Sequence, residues 1–199
     1  RYVSDPVRRV MSSEQTEQQA PVIDVRFGGV GGQGIVLAGR LLGKAASLYD
    51  GKDAVCTQSY GPEARGGASR ADVVISDHRV DYPFVINADI LAVFFQEAYM
   101  MFHARVKADG MLLFDDLLVQ PEEEHANQHA VPATRIAEDL GNKMAANVVM
   151  LGYILEARGI VSDESMDQAL RTTLKPSILD MNLKALESGK QLARENAAA

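Results

Sequence analysis

Val22-Ile23-Asp24-Val25-Arg26-Phe27-Gly28-Gly29-Val30-Gly31-Gly32-Gln33-Gly34 is the stretch whose reading decides the fold. Its first six residues are a short β-prone run. The pattern Gly29-x-Gly31-x-x-Gly34 follows, and residues 35 to 49 then show helical spacing through Val36, Leu37, Leu41, Leu42 and Ala45. Strand, glycine loop and helix in this order form a unit whose backbone N–H groups and helix N-terminus cradle a phosphate. A tight turn without a ligand uses the same glycines. Gln33 argues for a ligand, because its amide is a poor choice for a purely structural turn and suits hydrogen bonding to a ligand or a partner backbone.

Outward from this unit, Ala54 to Gln58 reads as a second strand and Ala71 to Ser76 as a third. Ile90 to Phe95 is a nearly all-apolar fourth, buried on both faces, and Met111 to Phe114 is a fifth. Glu97 to Val106 supplies a crossover helix, and Asp77-His78-Arg79 reads as a hairpin or tight turn that adds some antiparallel pairing. After Pro121 the character becomes helical. Met144, Val148, Leu151 and Leu155 form one apolar stripe ended by Gly159, Ser162 caps a helix over 163–174, and Pro176 separates that helix from another over 178–194. The expected class is α/β: one doubly wound, mostly parallel, Rossmann-like sheet with flanking helices and a helical C-terminal part.

The chain has 199 residues, 47% of them hydrophobic, which suits one domain with a real core over 21–195. Residues 1–20 read as a disordered N-terminal extension, since Ser12 to Gln19 holds only Ser, Glu, Gln and Thr, with Met11 a candidate natural start. A net charge of −7 with no concentrated basic face argues against nucleic acid. The single Cys56 excludes an internal disulfide and a Cys-ligated iron–sulfur cluster, and its apolar mid-strand setting reads as core. No signal peptide or long apolar run is recognisable, so a cytoplasmic protein without a membrane span is expected.

The second glycine-dense segment, Ser59-Tyr60-Gly61-Pro62-Glu63-Ala64-Arg65-Gly66-Gly67, follows the second strand. In a parallel sheet it emerges at the same carboxyl edge as the first loop, where α/β ligand crevices form. Arg65 offers a planar cation suited to carboxylate or phosphate, and Tyr60 and Pro62 a stiff apolar surface. A rigid surface loop with Arg65 paired to Glu63 is the plainer alternative. The candidate cofactor-binding residues are therefore Gly29, Gly31, Gly32, Gln33 and Gly34 with Ser59, Tyr60, Gly61, Pro62, Glu63, Arg65, Gly66 and Gly67.

Against a dinucleotide site stands the missing ribose acid: the second strand ends in Thr57-Gln58-Ser59, and Asp50 and Asp53 come before it. His125 and His129 stand four apart, but Ala126 occupies the position where a zincin has Glu, so no metal site is assigned. Glu122 to Glu124 read as a solvated acidic loop. Phe94-Phe95 and Met100-Met101-Phe102 read as core. No nucleophile elbow or P-loop is present, and no catalytic residue is assigned.

The two glycine segments together resemble the gamma subunit of 2-oxoacid:ferredoxin oxidoreductases. So do Val131-Pro132-Ala133-Thr134-Arg135-Ile136-Ala137, Leu140-Gly141-Asn142 and Ala146-Asn147-Val148-Val149-Met150-Leu151-Gly152. The similarity spans roughly residues 22 to 190. It implies a non-self-sufficient subunit of an enzyme that decarboxylates a 2-oxoacid on thiamine diphosphate with Mg2+, passes electrons through [4Fe-4S] clusters to ferredoxin, and transfers the acyl group to coenzyme A. This chain lacks the Gly-Asp-Gly thiamine signature and has one cysteine, so both centres are expected on alpha, beta and ferredoxin-like delta-type partners. The glycine segments are expected to face those partners near the entry of coenzyme A. The motif wording is closest to 2-oxoglutarate-type members, with pyruvate, branched-chain, indolepyruvate and phenylglyoxylate types as alternatives. A free-standing nucleotide-binding module is the alternative from another class.

Overall fold

The computed structural model describes residues 22–59 and 68–198. The expected N-terminal extension and Tyr60 to Gly67 lie outside the described residues.

β1 (Val22–Gly29) runs through the middle of a six-stranded sheet. The glycine loop leads into α1 (Ile35–Lys44), which continues as a π-helical turn over Ala45–Tyr49, so the expected single helix over 35–49 changes its winding at Lys44. β2 (Asp53–Ser59) and β3 (Ser69–Ser76) follow, then β4 (Ala88–Val93), α2 (Gln96–Phe102) and β5 (Val106–Asp115). β6 (Gln128–Val131), α3 (Ala133–Asp139), α4 (Ala146–Arg158), α5 (Asp163–Thr173) and α6 (Pro176–Ala198) complete the chain.

The strand order is β2-β3-β1-β4-β5-β6. β1, β4, β5 and β6 pair in parallel, while β3 pairs antiparallel with both β1 and β2, so five of the six strands run one way. Asp77 to Arg79 make no hairpin. They open the connection from β3 to β4, and the antiparallel pairing comes from β3 lying between β1 and β2.

Alternate residues of each central strand go to opposite faces, as the period of two requires. Ile90, Ala92, Met111 and Leu113 join the core under α1, α3, α4, α5 and α6. Leu91, Val93, Leu112 and Phe114 join a smaller core under α2, with Val85, Ala98, Tyr99 and Phe102. β1 carries one buried ion pair on that second face: Arg26 (1% exposed) holds Asp72 (2%) of β3 through Nε and Nη2, both at 2.8 Å.

Four sequence expectations are corrected by packing. β6 falls in the stretch read as helical, since four residues are too short for a visible period of two. Helix α4 is buried all round from Ala146 to Leu155, so the supposed stripe is part of a fully enclosed helix, and Met144 lies before it and is 49% exposed. Met100 and Met101 are exposed, while Phe94 and Phe102 are core, because a short helix on a thin layer buries only one side. Cys56 lies on an edge strand and is exposed as a residue. Its Sγ turns toward the Gly39 carbonyl at 3.5 Å, and burial against α1 pushes the thiol pKa up, which keeps it protonated.

The helical C-terminal part is held by backbone contact. A Cβ on Gly152 of α4 would strike the Leu186 carbonyl of α6, and one on Gly189 of α6 would strike the Val149 carbonyl of α4. The Ser162 hydroxyl accepts from the Ser165 N–H at 3.2 Å as the expected N-cap of α5, and Gly159 ends α4 in the left-handed region at φ 58°.

Candidate functional site

The carboxyl ends of β2, β1, β4, β5 and β6 form one edge of the sheet. Ser59 of β2 and Gly29 of β1 flank Arg70 and Ser69 of β3, and Gly28 stands opposite Val93, Val93 opposite Phe114, and Asp115 opposite Val131. From β1 the chain leaves through α1 on one face. From β4 it leaves through α2 on the other, since Gly28 lies against Ala98 and Phe102 while Gly39 of α1 lies against Ala71 and Val73. The crevice of a doubly wound sheet forms where such connections part. Here that place is between β1 and β4, under the first glycine loop.

The loop is braced by its own glutamine. The Val30 N–H donates to Gln33 Oε1 at 2.8 Å, and Gln33 Nε2 donates to the Phe94 carbonyl at 2.6 Å. Phe94 in turn donates its N–H to the Gly28 carbonyl at 2.9 Å. One end of the amide braces the loop from within and the other ties it to the residue just after β4, and the idea that an amide is a poor structural choice here is corrected: the side chain supplies the donor and the acceptor that the turn leaves unmet.

Gly34 precedes α1 at φ 74°, and its carbonyl accepts from Ala38 N at 3.0 Å and from Asn147 Nδ2 at 2.8 Å. A Cβ at Gly34 would sit 2.5 Å from that same Asn147 nitrogen, so glycine is required twice over. Asn147 is 1% exposed, and its Oδ1 has no partner among the described residues. It joins the N-terminus of α4 to that of α1 at this edge. Nothing local in the sequence around Asn147 signals a contact to a residue 113 positions earlier.

Gly31 and Gly32 differ from their neighbours. Both are exposed, and a Cβ on either would meet nothing within 4 Å among the described residues. Gly32 has φ 96°, which excuses its glycine, but Gly31 is outside the left-handed region. No described contact accounts for the missing side chain at Gly31, which leaves the loop's outer surface open to backbone approach by another molecule.

The second segment springs from the strand ends beside Gly29. Ser59 is the last residue of β2, and Ser69, the first of β3, stands opposite Gly29. Both glycine segments are therefore rooted at one edge, as expected from the sequence. The candidate residues Tyr60, Gly61, Pro62, Glu63, Arg65, Gly66 and Gly67 lie outside the described residues.

On the far side of the crevice, Asp115 (0% exposed) ends β5 by accepting from Leu117 N at 3.0 Å, Thr134 N at 2.8 Å and Thr134 Oγ1 at 2.7 Å. That carboxylate fixes the turn and the start of α3 and is spent on structure. Arg135 reaches Asp116 at 3.4 Å. A separate open groove of about 490 Å³ runs between α1, β2 and the end of α5, where Lys44 Nζ donates to the Thr172 carbonyl at 3.1 Å and Thr173 Oγ1 at 3.0 Å.

Among the described residues no three His, Cys, Asp or Glu side chains gather as metal ligands, and His125 and His129 go to Lys107 O and Asn127 Oδ1. No described helix is long and apolar enough to cross a membrane.

Residues 24–192 match the family described as pyruvate ferredoxin/flavodoxin oxidoreductase. The chain is 47% identical over 180 residues to the 2-oxoglutarate synthase subunit KorC of Methanothermobacter thermautotrophicus, covering 86% of this chain and 95% of the relative. It is 38% identical over 179 residues to the ketoisovalerate oxidoreductase subunit VorA of Methanothermobacter marburgensis, covering 87% of this chain and 37% of the relative. The structure superposes on the gamma subunit of a keto/oxoacid ferredoxin oxidoreductase from Geobacter sulfurreducens with a TM-score of 0.81 at 38% identity, covering 88% of this chain and 98% of the other. The strand-loop-helix unit, the sheet order and these likenesses agree, and the chain belongs to the pyruvate ferredoxin/flavodoxin oxidoreductase family as a gamma-type subunit.

Proposed function

We propose that this chain is the gamma subunit of a complex that converts 2-oxoglutarate and coenzyme A to the acyl-coenzyme A and CO2, delivering electrons to ferredoxin. The observation that carries the substrate is the identity to the 2-oxoglutarate synthase subunit, which is higher and runs over a larger share of the relative than that to the ketoisovalerate protein.

The chain's own part is at the carboxyl edge. The open backbone of Gly31 and Gly32, the N-terminus of α1 behind Gly34, and Ser59 at the end of β2 stand at the edge onto which coenzyme A and the adjoining subunits close. Amide N–H groups there suit a pyrophosphate, and Arg65 supplies a cation of matching geometry. The described residues neither offer a cluster of metal ligands nor more than one cysteine, so thiamine diphosphate with its Mg2+ and the [4Fe-4S] clusters fit partner chains.

In the ketoisovalerate relative the matched region is about a third of a longer polypeptide.

The test is activity of the purified native complex with and without this subunit, scored as coenzyme A-dependent reduction of ferredoxin. Turnover with 2-oxoglutarate above pyruvate and ketoisovalerate, lost when the subunit is absent and restored on adding it back, supports the reading. A preference for another acid overturns the substrate, and full activity without the subunit overturns the role.

A further inference from the structure

Helix α1 turns a polar stripe toward the edge strand β2. Arg40, Gly43, Lys44 and Ser47, each three or four residues from the next, line the groove of about 490 Å³, with Cys56 of β2 and Thr173 of α5 on its other walls. A second hollow of about 260 Å³ shares Arg40 and Cys56 with the first, so the two form one groove along β2. Its far wall is fixed in place: Lys44 Nζ donates to the Thr172 carbonyl and to Thr173 Oγ1, and the Tyr49 and Thr172 hydroxyls stand 2.9 Å apart. The Cys56 sulfur fills the space that a Cβ on Gly43 would take and so makes the floor. Ser47 belongs to the π-helical turn that continues α1, and such winding is rare and concentrates at functional sites.

The charge on these walls runs against that of the chain. The sequence holds 27 Asp and Glu against 20 Lys and Arg, yet the one acid lining the groove is Asp72, whose carboxylate is already held by Arg26 at 2.8 Å. Asp53, the first residue of β2, is spent on the Val80 N–H at 2.8 Å. Arg40 and Ser47 are exposed and have no hydrogen-bond or ion-pair partner among the described residues. Thr173 accepts from Lys44 and keeps its own hydroxyl proton to donate. An unspent guanidinium fork beside two hydroxyl donors, with no unpaired acid among the lining residues, selects an anion.

We propose that this groove binds a small organic phosphomonoester. The Arg40 fork takes two phosphate oxygens, the Ser47 and Thr173 hydroxyls donate to the others, and the floor of Gly43 and Cys56 receives the carbon body. A lone carboxylate would use the fork and leave both hydroxyl donors unmatched. The groove is larger than a bare phosphate needs and falls within the range of about 300–1,000 Å³ usual for small-molecule sites. It also stands apart from the glycine loop, since Lys44 ends α1 about 15 Å along the helix from Gly34. The proposal is therefore independent of where coenzyme A enters and of the subunit reading.

The experiment titrates the full chain with glycerol 3-phosphate by calorimetry at about 0.15 M salt, where diffuse surface attraction is screened. Saturable binding with a Kd of about 1 mM or tighter is expected. Arg40→Gln should weaken it by about tenfold or more, as should Ser47→Ala with Thr173→Ala, while Arg79→Gln, an exposed arginine paired with Asp81 outside the groove, binds as wild type does. A footprint on the unaltered chain needs no variant: Cys56 is the sole cysteine, and its alkylation by N-ethylmaleimide should slow as glycerol 3-phosphate saturates. Absence of saturable binding, an equal loss in Arg79→Gln, or unchanged alkylation of Cys56 at saturation overturns the site. Inorganic phosphate binding as tightly as glycerol 3-phosphate overturns the organic body. Protection of Cys56 by coenzyme A at about a tenth of the glycerol 3-phosphate concentration makes the groove part of the coenzyme site and overturns its independence.

Discussion

Gly31 and Gln33 stand two apart in one loop and do opposite work. Gln33 closes the turn from inside, with Val30 N–H and Phe94 C=O as its partners, so replacing it removes two bonds across a half-buried joint. Gln33→Ala is expected to cost about 1–3 kcal/mol, read from urea unfolding, because a donor and an acceptor are left unmet. Gln33→Glu keeps the acceptor for Val30 but sets a carboxylate oxygen against the Phe94 carbonyl in a half-buried joint, so its loss should be at least as large. Gly31, by contrast, has open space in front of it and an ordinary φ. Gly31→Val should leave stability within about 0.5 kcal/mol while raising the KM for coenzyme A in the assembled complex by about tenfold or more. An unchanged KM would show that nothing approaches this backbone.

At the scale of elements, α4 and α6 hold the helical layer together without interlocking side chains at their closest point. Gly152 and Gly189 let the two backbones touch, each filling the space where the other's Cβ would be. Gly152→Ala is expected to destabilise by about 3 kcal/mol or more, at the upper end of overpacking costs, because a carbonyl of a 23-residue helix must move rather than a side-chain tip. Chemical denaturation reads this directly, and a cost under about 1 kcal/mol would mean that the helices slide apart easily. β6 shows the converse problem. Its four residues make a strand only because β5 offers a parallel edge, with Leu112 opposite Gln128 and Asp115 opposite Val131.

For the whole molecule, one group in β6 links stability to pH. Burial against Tyr153 pushes the His129 pKa below its ordinary value of 6.5, with ring centroids 5.6 Å apart. The folded chain then binds fewer protons than the unfolded one, so stability falls as pH drops through 6.5 and levels off below the folded pKa. Melting curves between pH 7.5 and 5 should show this loss, and His129→Gln should flatten it. Equal slopes for both proteins would place the pH dependence elsewhere.

The order strand, glycine loop, helix was legible in residues 22 to 45, as were the buried strand at Ile90, the cap at Ser162 and the stop at Gly159, because each is a local pattern of period, torsion or capping. The common edge of Gly29 and Ser59 followed from strand direction alone. What the chain order did not contain was which individual groups of distant segments meet. Asn147 reaching Gly34, Gln33 reaching Phe94, Gly152 against Leu186, the place of β3 between β1 and β2, and the exposure of Cys56, Met100 and Met101 are all set by which surfaces end up facing each other. Local torsional preference and side-chain periodicity are properties of a segment and are written in it. Burial and partnership are properties of the packed whole, where desolvation and close contact choose among positions that look alike in the sequence.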